Sequence, residues 1–192
     1  MKTLNAIVTM MALLLAGQIA LAAQGPQEYL QSMDRKLKPL LANADQNQAR
    51  IIGILNQMMD FDTLCRDSLG KHWDTRTEAE RAEFSATLKA LIEKNVVTRL
   101  KNTSGNNIEY RSETVKGTTA TVITAVRDGD GPRAAEYEIG YRMKKNGAGW
   151  VVVDMTTDGV SLVSNYRSQF NSIIEKDGWD AMMKKMKEKL AE

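Results

Sequence analysis

Two apolar periods divide this chain. From Pro26 to Met59 the apolar positions recur at helical spacing, with Tyr29, Met33, Leu37, Leu40 and Leu41 on one stripe and Ile51, Ile52, Leu55, Met58 and Met59 on the next, and Asn43 to Asp45 marks the break between them. Phe61 to Leu69 predicts a short helix ending at Gly70. Thr77-Glu78-Ala79-Glu80 is a capping box that opens a long helix carrying Phe84, Leu88, Leu91, Ile92 and Val96 to about Leu100. After Gly105 the period changes to two. Segments 108–115, 118–127, 133–145 and 150–158 read as strands, separated by Lys116-Gly117, the 128–132 segment Asp-Gly-Asp-Gly-Pro, and the 146–149 segment Asn-Gly-Ala-Gly. Short connections between consecutive strands predict a four-stranded antiparallel meander. A helix over 161–176, a stop at Asp177-Gly178 and a last helix bearing Trp179, Met182, Met183, Met186 and Leu190 close the chain. Helices before and after one antiparallel sheet define an α+β domain with the helices packed on one face.

The stretch from Trp150 to Ile174 joins the two periods with almost no loop. Val151, Val153 and Met155 fall on one face of a strand under strict alternation, and Leu162, Val163, Tyr166, Phe170, Ile173 and Ile174 fall on one helical stripe. Gly159 supplies a backbone path that other residues resist, and Ser161 is placed to cap the helix. An apolar surface continuing from strand to helix encloses either a core or a pocket.

Charge and address narrow the function. Lys2, the apolar run from Ala6 to Ala16 and the small-x-small Ala20-Leu21-Ala22 form a secretory signal peptide over residues 1–22, so one domain over 23–192 is expected in the periplasm. Gly17 and Gln18 interrupt a run already short of the ~20 residues that span a bilayer, which argues against a retained anchor. No Cys stands at the cleavage point to carry lipid. The whole chain holds 26 Lys and Arg against 24 Asp and Glu, a balance without the basic excess that nucleic-acid binding requires. Cys65 is the sole cysteine, so no intramolecular disulfide forms, and its apolar helical neighbours imply a buried, inert thiol.

Catalytic patterns are missing. One His and one Cys, His72 and Cys65, cannot build a structural zinc site, and the acidic, glycine-rich 128–131 segment fits a hairpin turn better than a calcium loop. His72 has no Gly-x-Ser-x-Gly partner, and no phosphate-cradling loop appears. Asp154 and Asp158 on the fourth strand leave open an enzyme whose base is a carboxylate raised by burial. Methionine is frequent, 11 in all, and clusters at 58, 59, 143, 155, 182, 183 and 186. Such side chains serve as ordinary core filling or as an adaptable wall for acyl chains.

Two segments carry a resemblance. Phe61-Asp62 leads through Leu69-Gly70-Lys71-His72-Trp73 to the Thr77-Glu78-Ala79-Glu80-Arg81 helix start, and Gly159-Val160-Ser161-Leu162-Val163-Ser164-Asn165-Tyr166-Arg167-Ser168-Gln169-Phe170 is followed by Ile173, Ile174 and Gly178. In these pieces, and over nearly all of residues 23–192, the chain resembles the MlaC family of periplasmic phospholipid-binding proteins, also described as a toluene-tolerance auxiliary component of an ABC transport system. The resemblance implies an NTF2-like sheet enclosing an apolar lipid cavity. It also implies a carrier, not an enzyme, that moves phospholipid between an outer-membrane lipoprotein complex and an inner-membrane MCE-domain transporter. Phospholipid is then cargo, and no cofactor is expected. Leaving one tail of about 16 carbons in water costs on the order of 12 kcal/mol, so such a carrier hides its tails, while a solvated headgroup needs no basic cluster.

The implied wall falls on both sides of the strand–helix joint. It takes Tyr110, Val122, Tyr137, Ile139, Tyr141, Val153 and Met155 from the sheet, and Leu88, Ile92, Leu162, Tyr166 and Phe170 from the helices. A one-residue register change would exchange the inward and outward sets. Arg167 is expected to hold a carbonyl or carboxylate of the protein. Two competing functions remain at this level: an NTF2-like enzyme acting on a small apolar substrate through Asp154 or Asp158, and a groove that receives an amphipathic partner helix.

Overall fold

A computed structural model describes residues 24–102, 107–128 and 135–192. The expected signal peptide and most of the 128–132 turn lie outside the described residues. Helix α1 (Pro26–Leu41) buries Leu30, Met33, Leu37 and Leu40, and α2 (Gln48–Met58) buries Ile51, Leu55 and Met58. Helix α3 (Phe61–Leu69) is capped by Asp60, whose carboxylate accepts the Thr63 N–H at 2.9 Å. It ends at Gly70, whose φ of +56° favours glycine and where a Cβ would stand only 3.2 Å from Arg167 Cδ. Arg167 Nε donates to the Asp67 carbonyl at 2.7 Å and ties α3 to the C-terminal half, the structural role expected of it.

The capping box forms reciprocally. Glu80 N–H donates to Thr77 Oγ1 at 3.3 Å and Thr77 N–H donates to Glu80 Oε2 at 2.7 Å, starting α4 (Glu78–Asn102). The strands are β1 (Asn107–Lys116), β2 (Thr119–Asp128), β3 (Ala135–Asn146), β4 (Gly149–Thr157) and β5 (Val160–Ser161), followed by α5 (Leu162–Asp177) and α6 (Trp179–Ala191). All neighbours pair antiparallel in the order β1-β2-β3-β4-β5. The four expected strands are therefore joined by a fifth, a two-residue strand too short to show any period. Asp158 and Gly159, with φ of +49° and +79°, make the two-residue turn that pairs Thr157 with Val160.

Strict alternation fails in β4. Arg142 lies opposite Asp154 while Met143 lies opposite Val152, which leaves Val153 as an extra residue at a bulge. Val152 and Met155 consequently share the face of Met143 and Tyr141, and Val151, opposite Lys144, lies on the other. The expected single face of Val151, Val153 and Met155 is thereby corrected. Residues Trp150 to Asp154 are nonetheless all buried. The far edge of β4 is covered where Met59 forms a parallel bridge to Val152 and Asp60 N–H donates to the Val152 carbonyl at 2.8 Å. Lys144 reinforces that crossing, with Nζ 2.5 Å from the Asp60 carboxylate.

The helical core centres on Phe84, which meets Phe170 edge-on at 5.3 Å and Trp179 at 6.1 Å. Met182, Met183 and Met186 of α6 are buried beside it. Cys65 is fully buried, and burial pushes its thiol up to about 12. None of the helices, among the described residues, is long and apolar enough to cross a membrane.

Candidate functional site

A cavity of about 720 Å³ lies between α4, α5 and the β4–β5 hairpin. Its floor is Leu91, Ile92 and Val96 of α4, Met155 of β4, and Leu162 and Tyr166 of α5. Each arrives there for a local reason. Leu91 and Ile92 continue the α4 stripe one turn past Leu88, whereas Met155 reaches the inner face because the bulge at Val153 resets the parity of β4. Leu162 begins α5 directly after β5, so the helix is aimed by the hairpin.

Asp154 fixes that aim. Its Oδ2 accepts the Ser161 hydroxyl at 2.7 Å, its Oδ1 accepts the Val163 N–H at 3.1 Å, and Arg142 lies 3.5 Å away. Ser161 Oγ in turn accepts the Ser164 N–H at 3.0 Å. A buried carboxylate and a hydroxyl thus satisfy the first turn of α5 together. Asp158, the other carboxylate considered as a base, instead accepts the Glu138 N–H of β3 at 2.9 Å and ties the hairpin turn to that strand. Both acids have structural duties, and no group of three or more metal-ligating side chains assembles among the described residues.

Tyr166 sits half-buried in the cavity, stacked on Phe170 at 5.5 Å. Burial raises its phenol, while a hydrogen bond with Asn95 and the charge of Arg99 pull it back. The rim is polar. Asn95, Thr98 and Arg99 rise from α4, Asn165 and Gln169 from α5, and Lys189 from α6, with Val160 of the hairpin as an apolar lip that is 63% exposed.

Of the twelve wall residues expected from sequence, Ile92, Met155, Leu162 and Tyr166 line this cavity. Leu88, Val122 and Phe170 are buried in the core, and Val153 is buried at the bulge. Tyr110, Ile139 and Tyr141 lie on the same sheet face as Met155, outside the cavity lining, and Tyr137 is exposed. Burial raises the phenols of Tyr110 and Tyr141, and the nearby Asp34 carboxylate adds to it. The rim residues were not among those expected, because exposed amides and cations on a helix carry no periodic signal that separates a cavity mouth from ordinary surface.

Residues 25–188 match the family described as MlaC protein. This chain belongs to the MlaC family. Among its relatives, the intermembrane phospholipid transport system binding protein MlaC of Haemophilus influenzae is 25% identical over 185 residues, covering 91% of this chain and 86% of that protein. The phospholipid-binding protein from Ralstonia solanacearum, solved in complex with a phospholipid, superposes with a TM-score of 0.74 at 18% identity over 87% of this chain and 97% of that one. That superposition shows the shared α+β fold of this MlaC-family chain. The long α4, the hairpin and the start of α5, which frame the cavity, all fall inside the matched span.

Proposed function

We propose that this protein is a periplasmic phospholipid carrier that shields acyl chains in the cavity between α4, the β4–β5 hairpin and α5. The observation that carries the proposal is an apolar-floored space of about 720 Å³ in a chain of the MlaC family. A methylene takes about the volume share of a water molecule, roughly 30 Å³, so the cavity holds on the order of 24 methylenes. That is about one and a half tails of 16 carbons, with a gross transfer value of at most about 20 kcal/mol, because the cavity opens to solvent on one side, before ordering costs are subtracted. The remaining carbons of a diacyl lipid lie across the Val160 lip or widen the cavity. Ile92, Met155, Leu162 and Tyr166 form the wall in this proposal, and the carrier needs no cofactor and performs no reaction. Its route runs between an outer-membrane lipoprotein complex and an inner-membrane MCE-domain transporter, a role supported by the name borne by the Haemophilus relative.

Organic extraction of the protein purified from its host, followed by mass spectrometry, is expected to recover one or a few phospholipids per chain. Leu162→Trp, which fills the cavity at its junction with the hairpin, is expected to lower that yield while preserving the circular dichroism spectrum. Recovery of no lipid from the unsubstituted protein, together with no uptake from vesicles, overturns the proposal.

A further inference from the structure

The face of the sheet turned away from the acyl cavity carries a second concavity. Thr121, Arg142 and Asp154 stand side by side across β2, β3 and β4, as do Ile123, Gly140 and Thr156, all on the face opposite Val122, Tyr141 and Met155. Ser164 and Arg167 of α5 close one side, and the depression so formed holds about 380 Å³. Gly140 gives the Thr156 hydroxyl its place on the floor, because a Cβ there would collide with it.

Arg167 enters this space already positioned. Its stem packs against Gly70, its Nε donates to the Asp67 carbonyl at 2.7 Å, and that carbonyl is its only hydrogen-bond partner among the described residues. No carboxylate of the described residues pairs with it. The Nη edge of a held guanidinium is therefore left without an acceptor in a depression that Arg167 itself lines. Asp154 is the sole acid in the lining, and its charge is already matched: it takes the Ser161 hydroxyl at 2.7 Å and the Val163 N–H at 3.1 Å, with Arg142 at 3.5 Å. Arg142 balances Asp154, so the charge of Arg167 stays unmatched.

We propose that this depression is a carboxylate-binding site that anchors an acidic side chain of a partner protein. Arg167 supplies the planar fork, which meets the two oxygens of a carboxylate side by side. One unmatched cation suits a monoanion, whereas a phosphate dianion beside Asp154 would bring more negative charge than Arg167 offsets. The Thr121, Thr156 and Ser164 hydroxyls donate to no other group among the described residues and can serve the remaining lone pairs. The site also continues along the sheet. A shallower depression of about 230 Å³ shares Thr121 with it and carries Lys116 at the β1–β2 turn. A small free acid would use only the first depression, but an extended segment with more than one acidic residue reaches both, which assigns the occupant to a protein chain. Because it lies across the sheet from the acyl cavity, the site stands apart from the carrier reading.

The test follows fluorescence polarisation of a labelled peptide, Gly-Glu-Gly-Glu-Gly-Glu, as the purified protein is added at low salt. Saturable binding that weakens with added salt is expected, with none for the peptide carrying Gln in place of Glu. Arg167→Lys keeps the charge and loses the fork, and is expected to weaken binding about tenfold. Lys116→Gln combined with Thr121→Val, remote from the Asp67 contact, is also expected to weaken it about tenfold and carries the test if Arg167→Lys disturbs the circular dichroism spectrum. No saturable binding, equal binding of the Gln peptide, undiminished binding by the variants, or displacement of the peptide by acetate or inorganic phosphate at matched concentration overturns the proposal. Phospholipid recovered from the same variants is expected to be unchanged, which separates failure of this site from failure of the carrier reading.

Discussion

Replacing Asp154 by Asn tests whether this carboxylate aims α5. Two bonds to its oxygens, from the Ser161 hydroxyl at 2.7 Å and the Val163 N–H at 3.1 Å, are charge-assisted. Ser161 Oγ accepts from Ser164 with one lone pair and keeps a second. An asparagine can therefore present its carbonyl to the Val163 N–H and its amide N–H₂ to Ser161 Oγ, whose hydrogen then turns to water. Both bonds survive, but each becomes neutral. A hydrogen bond to a charged group is worth about 1.5–3 kcal/mol against about 1 for a neutral one, so the two changes together cost about 2 kcal/mol. Arg142 adds little, because its side chain is 53% exposed and regains water while Asp154 is 7% exposed. For a domain of this size that corresponds to a fall in Tm of about 4–8 °C. Thermal unfolding followed by far-UV circular dichroism measures it, with Arg142→Ala as the comparison, expected to cost under about 1 kcal/mol. An unchanged Tm in Asp154→Asn, or an Arg142→Ala loss as large, would refute the assignment of Asp154 as the helix cap. Because α5 begins the cavity wall, Asp154→Asn should also weaken lipid retention in proportion to its effect on stability.

Three further outcomes follow from other residues. Gly159→Val should destabilise by roughly 1–2 kcal/mol through the left-handed backbone alone, since a Cβ there meets nothing within 4 Å; a Tm equal to that of the unsubstituted protein would show that the turn is not needed. Cys65, buried and with its thiol pushed up to about 12, should resist an aromatic disulfide reagent at pH 8 in the native state and react fully in denaturant; fast native labelling contradicts this. Burial alone would raise the Asp60 carboxyl, but hydrogen bonds from Lys144 and Thr63 outweigh it and hold the group below its usual range. The folded state therefore gains stability above the unfolded value of about 3.9 and loses it as pH falls through the folded value. Asp60→Asn should lower Tm at neutral pH, with the difference from the unsubstituted protein closing below about pH 4.

The sequence by itself determined the helices, the four long strands and the caps, because each is written in local terms: a 3.6 or 2.0 period, a Thr-x-x-Glu box, a Gly at a stop. The buried thiol was legible in the same way, from apolar neighbours on a helical face, and Arg167 holds the Asp67 carbonyl in the structural role expected of it. Only the tertiary structure decided which apolar residues enclose space and which close it. Leu88 and Ile92 lie one turn apart on the same stripe and both are buried, yet only Ile92 also lines the cavity, and periodicity alone cannot tell the two apart. A single bulge at Val153 moved Met155 to the inner face, an insertion that alternation cannot register. Arg99 and Lys189 lie 90 residues apart in sequence and share one rim because α6 returns across α4, and that long-range packing has no local trace in the chain.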